Sequence, residues 1–242
     1  MMNESTVYFA GEGHEYMQEC IEKSADWCAT KKISTLVIFT GTGAGPHYAA
    51  KELLPRQRFK DLRVVAVTPP HGRSYRQNPA DPNSPIISSG ISPGLRDQLV
   101  AFGIQVVSAH FPFKDIAAES PRPTDWSRAA EAFGILGGGF SYCVQAILLA
   151  CDAGALAHGE RVVALSADTA FEATACRTES FVSGLDGMLV GHIICRPGRY
   201  TISKQFHETV FEPSTPDPPP ALEPSQQTVV DTTFEPLSER SR

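Results

Sequence analysis

Short apolar, β-branched runs alternate along the chain with longer stretches in which apolar residues recur every three or four positions. Residues 36–39, 64–67 and 162–165 are uniformly apolar, 104–107 is interrupted only by Gln105, and all four runs are too short for helices. They predict strands buried on both faces, the pattern of a parallel sheet. Met17, Cys20, Ile21, Ser24, Trp27 and Cys28 fall on one face of a helix with charged residues between them, an amphipathic pattern. Further helices are predicted over 48–54, 95–102, 126–136 and 142–153. The last is almost wholly apolar, which places it centrally, and Gly154 suits its left-handed C-terminal cap. A short strand is predicted at 7–10, and 170–177 and 188–195 predict an antiparallel pair. The alternation implies an α/β domain over 1–204 built on a mostly parallel sheet.

From about residue 205 the periodicity stops. Seven of the nineteen prolines lie in 205–242, including Pro218, Pro219 and Pro220, and the apolar residues there are isolated. This composition predicts a disordered tail. Two similar pieces within it, around Phe211-Glu212-Pro213 and Phe234-Glu235-Pro236, read either as a duplicated docking peptide for a protein partner or as chance similarity in biased sequence.

The tail also holds seven acids against two bases, so it carries −5 of the net charge of −6 and leaves −1 for the rest. Neither portion offers the basic stripe that a nucleic-acid surface requires. No stretch approaches the roughly 20 apolar residues of a membrane span, and the first residues lack a basic-then-apolar leader, so a cytoplasmic protein is expected. The six cysteines show no CxxC or Cys/His ligand spacing and read as small apolar core residues; no metal site is expected. Cys176 lies outside the helices beside Arg177 and is the thiol best placed for reactivity, burial being the competing reading.

The chemistry concentrates at strand ends. The run Thr35 to Phe39 breaks into Thr40, Gly41, Thr42, Gly43, Ala44 and Gly45 just before a helix. Glycines there let backbone N–H groups face an anion, so this segment is a candidate phosphate or carboxylate cradle, the alternative being a tight turn with no ligand. A parallel sheet gathers residues just beyond its strand C-termini. That would bring Thr68, His71, Arg73, Ser108, His110, Ser166, Asp168 and Thr169 to the same edge. Arg73 would add a bidentate contact to phosphate. Gly138 and Gly139 would present a second helix N-terminus, or else permit close packing there. His71 or His110 could act as acid or base, with Asp168 orienting one of them. The connection 73–94 is long and proline-rich, and reads as a binding loop or as a disordered insertion.

Three strand-and-turn units, LVIFTGTGAG at 36–45, RVVAVTPPHG at 63–72 and GERVVALSADTA at 159–170, resemble in order the C-terminal α/β domain of pyruvate kinase, and more closely the stand-alone proteins similar to that domain. Further landmarks in the expected order are Tyr8-Phe9 before Gly11, the strand end at 103–110, and Phe133-Gly134 through Gly139-Phe140 to Gly154. The resemblance spans about 6–198. It implies a three-layer, doubly wound, mostly parallel sheet with a crevice at its carboxyl edge, a phosphate-bearing small molecule at the Thr40 loop, and flavin mononucleotide (FMN) as a candidate cofactor. It implies no pyruvate kinase activity, because the chain has no room for the catalytic barrel. Two departures stand out. Gly45 and Pro46 replace the effector loop's second hydroxyl and alanine, and Ser166-Ala167-Asp168-Thr169-Ala170 replaces a more glycine-rich turn. Two other classes stay open: a regulatory or scaffold module acting through its tail, and an enzyme of specialised metabolism using the strand-end histidines. Homo-oligomerisation also stays open.

Overall fold

The computed structural model describes residues 4–72, 74–76, 86–113, 125–183 and 187–199. The tail with its two Phe-Glu-Pro pieces and the candidate ligand Arg73 lie outside the described residues.

The chain begins with strand β1 (Val7–Phe9), helix α1 (Met17–Lys31), strand β2 (Thr35–Phe39) and helix α2 (Ala44–Tyr48), which continues into a π-turn at Ala49–Leu53. Strand β3 (Arg63–Thr68), a hairpin of β4 (Ser74–Arg76) and β5 (Ile86–Ser88), helix α3 (Pro93–Ala101) and strand β6 (Gln105–Ser108) follow. The remainder comprises α4 (Asp125–Gly134), α5 (Gly138–Asp152), β7 (Arg161–Leu165), β8 (Ala170–Thr174), α6 (Thr178–Ser183) and β9 (Val190–Pro197). Seven strands form one sheet in the order β1-β9-β8-β7-β2-β3-β6. All pairings are parallel except those of β8 with β7 and with β9.

The strand pleat explains the layers. Alternate residues of a strand face opposite ways, so Leu36, Ile38, Val64 and Ala66 bury against α1, α2 and α3. Val37, Val65, Val67, Val162 and Ala164 bury against α5, together with Phe140 and Phe171, stacked at 4.4 Å. Both faces of the inner strands are therefore apolar, as the continuous hydrophobic runs require, whereas β6, expected to be buried on both faces, lies at the sheet edge and exposes Gln105 and Ser108. Helix α5 is buried along most of its length, with Cys143, Ala146, Ile147 and Leu148 fully covered. It ends at Ala153, with Gly154 at φ +71°, the left-handed cap read from the sequence. The antiparallel pairing of β8 with β9 also agrees with that reading.

Two boundaries differ from the pattern. Helices α2 and α5 each begin four residues before the apolar periodicity starts, because short glycine and alanine residues leave no hydrophobic signature. Ala44, Gly45, Gly138 and Gly139 are therefore helical residues rather than turn residues. All six cysteines are buried and unpaired by disulfides. Burial pushes the Cys176 thiol above its ordinary value and holds that of Cys28 up to about 12. Such thiols are poor nucleophiles, so Cys176 is a core residue.

Candidate functional site: the crevice between strands β2 and β7

The strands β2, β3 and β6 follow one another outward, and the chain then returns through α4 and α5 to place β7 on the other side of β2. The order reverses between β7 and β2. In open α/β sheets the carboxyl side of that reversal is where the connecting segments diverge and leave a crevice. A cavity of about 50 Å³ lies there, lined by residues 38–42, Ala44, Gly45 and residues 165–167, with Met17 at the start of α1 and His14 in the turn before it. A larger groove, about 320 Å³, opens at the opposite, amino edge between the end of α1 and Arg58, Phe59 and Leu62.

The Thr40 turn is built largely by its own polar groups. Thr40 is buried, and its Oγ1 accepts the N–H of Gly43 at 2.8 Å. Gly43 adopts φ +94°, and the position its Cβ would take lies 2.5 Å from Leu95 Cδ2 and 3.3 Å from Ile91 Cγ1. Gly41 O accepts the N–H of Gly90 at 2.8 Å, tying the returning end of the 73–94 connection to this turn. Gly43 therefore faces packed side chains, and its amide is already engaged. Thr42 is exposed, and it lines the cavity with Ala44 and Gly45. These last two are first-turn residues of α2, whose N–H groups have no intrahelical acceptor.

The second turn has a different nature from the one expected. Ser166 N donates to Thr169 O at 2.8 Å, and β7 runs through this turn into antiparallel β8. It is a hairpin turn, not a strand-to-helix loop. Helix α5 starts against it: a Cβ on Gly139 would sit 2.4 Å from Thr169 Oγ1 and 2.6 Å from Ser166 Oγ. That contact gives Gly139 a steric role. Ser166 is buried and lines the cavity. The Cys143 thiol donates to Thr169 O at 3.6 Å and also interacts with the Ser166 hydroxyl.

Asp168 does not orient either strand-end histidine. Its Oδ2 accepts the N–H of Gly13 at 3.0 Å and its Oδ1 the Thr169 hydroxyl at 3.0 Å, while the histidine whose charge acts on it is His14. β6 lies three strands from β7, roughly 14 Å at ordinary strand spacing, which separates His110 from this turn. His71 is exposed beyond β3, its backbone against Gly90, and Ser108 Oγ donates to Pro69 O at 3.4 Å. Thr68 is buried at the end of β3, and its Oγ1 lacks a partner among the described residues. The cavity thus collects Thr40, Gly41, Thr42, Ala44, Gly45 and Ser166. His71, His110, Thr68, Gly43, Gly139, Asp168 and Thr169 share the edge but do not line it.

Sequence reasoning missed His14 and Met17. The available signal was Gly11-Glu12-Gly13-His14, which sits between a short strand and a helix just as the Thr40 turn does. Because β1 is parallel to β9, this turn reaches the same carboxyl edge.

Burial raises the Asp168 pKa, an effect only partly offset by the Gly13 and Thr169 hydrogen bonds. A carboxyl whose pKa rises on folding adds stability at pH values below its unfolded pKa and loses that contribution as pH climbs through the folded value. Asp168→Asn is therefore expected to gain on the wild type at pH 7 relative to acid pH, the difference shrinking as pH falls through the raised folded-state value and becoming constant below the unfolded value of about 4. Urea unfolding across that range checks the sign; an advantage that grows on acidification would contradict it.

No protein-family model matches this chain, and no curated protein matches it either.

Proposed function

We propose that this protein binds a small molecule through a terminal phosphate group in the crevice between β2 and β7. The observation that carries the reading is the coincidence of a polar-walled cavity with the reversal of strand order. First-turn amides of α2, which have no intrahelical acceptor, and the Thr42 and Ser166 hydroxyls supply donors there. The strand-and-turn units at 36–45, 63–72 and 159–170 carry the resemblance to pyruvate kinase C-terminal-like proteins, which points to the same reading. The FMN implied by that resemblance fits in one respect only. A volume of about 50 Å³ suits its phosphate, whereas pockets that enclose a cofactor-sized ligand span roughly 300–1,000 Å³, so the isoalloxazine ring would lie outside.

Purified full-length protein is first examined by absorbance and by native mass spectrometry before and after denaturation, which identifies a carried ligand. Thr42→Ala then tests the site. Thr42 is exposed, so the fold should keep its stability, while affinity for the phosphate-bearing ligand should fall about three- to tenfold, the range for one lost hydrogen bond. Unchanged affinity would remove Thr42 and the turn it stands on from the binding surface.

A further inference from the structure

The cavity has one ionisable side chain in its wall. Among the residues lining it, Thr40, Thr42 and Ser166 supply hydroxyls, the others are glycine or apolar, and only His14 can carry charge. No lysine or arginine among the described residues lines it. His14 begins the turn His14–Tyr16 that leads into α1, a helix of 15 residues whose first residue, Met17, is also in the wall. It is held there by the N–H of Gly13, bound to Asp168 Oδ2 across 155 positions of sequence. Gly13 has φ +152° and ψ +169°, a backbone state for which glycine is suited, and the position of its Cβ is filled by the Glu15 carboxylate. The loop that presents the imidazole is thus tethered to the β7–β8 turn at Gly13.

We propose that His14 is the residue that recognises the ligand's charge in this cavity, and that the recognised group is a single phosphoryl head, as in a phosphate monoester, rather than a diphosphate. This inference rests on the binding reading above and specifies it. Size points to the class: a water needs about 10–15 Å³ of such space, so about 50 Å³ takes one phosphoryl group, and a second one linked to it would lie outside the wall that His14 and the hydroxyls form. Chemistry sets the residue. An imidazole donates one N–H when neutral and two when protonated, and a charge-assisted bond to phosphate is stronger than a neutral one. Ser166 adds a hydroxyl-bearing residue to the wall: it is 5% exposed and lines the cavity. Glu15 and Asp168 flank the same loop, so a bound dianion meets nearby negative charge that only His14 can offset within the wall.

The test titrates inorganic phosphate and pyrophosphate calorimetrically into the full chain, as wild type, His14→Gln and Thr42→Ala. Phosphate is expected to bind the wild type, pyrophosphate at least about tenfold more weakly, and His14→Gln should lose about tenfold or more in phosphate affinity with its thermal unfolding unchanged. The His14 ring resonances should shift on phosphate addition in the wild type. Phosphate binding that Thr42→Ala weakens and His14→Gln leaves intact would overturn the role of His14 while keeping the binding reading. Equal binding of pyrophosphate would overturn the single-phosphoryl class. No phosphate binding by the wild type would overturn both this inference and the reading it rests on.

Discussion

Gly43→Val is expected to destabilise the protein by roughly 2–5 kcal/mol, combining about 1–2 kcal/mol for a left-handed non-glycine residue with about 1–3 kcal/mol for overpacking. The residue holds φ +94°, and its missing Cβ would meet Leu95 Cδ2 at 2.5 Å. Leu95 stands on α3 and packs against the hydrophobic layer beneath it, which includes Leu99 and Ile104, so withdrawing it exposes apolar surface elsewhere. Urea unfolding measures the loss. A decrease below about 1 kcal/mol would mean that Leu95 and Ile91 rearrange freely and that the turn is not held by α3. The result also determines how the crevice should be probed. Any loss of ligand in Gly43→Val reflects a damaged turn, whereas Thr42→Ala and His14→Gln alter exposed groups.

Gly139→Ala is expected to cost about 1–3 kcal/mol, a large effect for one added methyl. Helix α5 normally gains from alanine over glycine, by about 0.5–1 kcal/mol, so a net loss must come from crowding. The added Cβ would lie 2.4, 2.6 and 2.8 Å from Thr169 Oγ1, Ser166 Oγ and Asp168 Oδ1. These atoms belong to a hairpin turn closed by its own backbone bond and by the bond from Gly13 to Asp168. The turn therefore cannot retreat without loosening the loop that presents His14. Thermal unfolding together with phosphate titration tests this coupling: a variant as stable as the wild type, with unchanged binding, would show that α5 and the turn move apart without consequence.

The glycine-rich chemistry was legible in sequence, but its physical roles were divided by the fold. Thr40 and Gly43 satisfy one another. Gly139 makes room for a turn, and Thr42, Ala44 and Gly45 reach the cavity wall. Asp168 was read as a partner for His71 or His110 and instead anchors Gly13. Its true neighbour lies 155 residues away, and no spacing pattern reports such a contact. The hairpin nature of the Ser166 to Thr169 turn was hidden for the same reason. Whether a strand end leads into a helix or folds back depends on the pairing of β8 with β7 and β9, not on the four residues of the turn.

Local pattern alone determined the elements of this protein. Apolar runs of strand length and apolar positions at helical spacing placed most of the strands and helices within a few residues, because each element must bury its own hydrophobic face. The same uniform runs determined that the sheet is mostly parallel and covered on both sides. Tertiary structure decided the strand order, and with it the reversal between β7 and β2 that opens the crevice. It also decided that β1 pairs with β9 at the far end of the chain, which carries His14 to the crevice beside Thr42 and Ser166. These outcomes rest on long-range pairings whose stabilisation appears only once the layers have packed, so no window of sequence holds them.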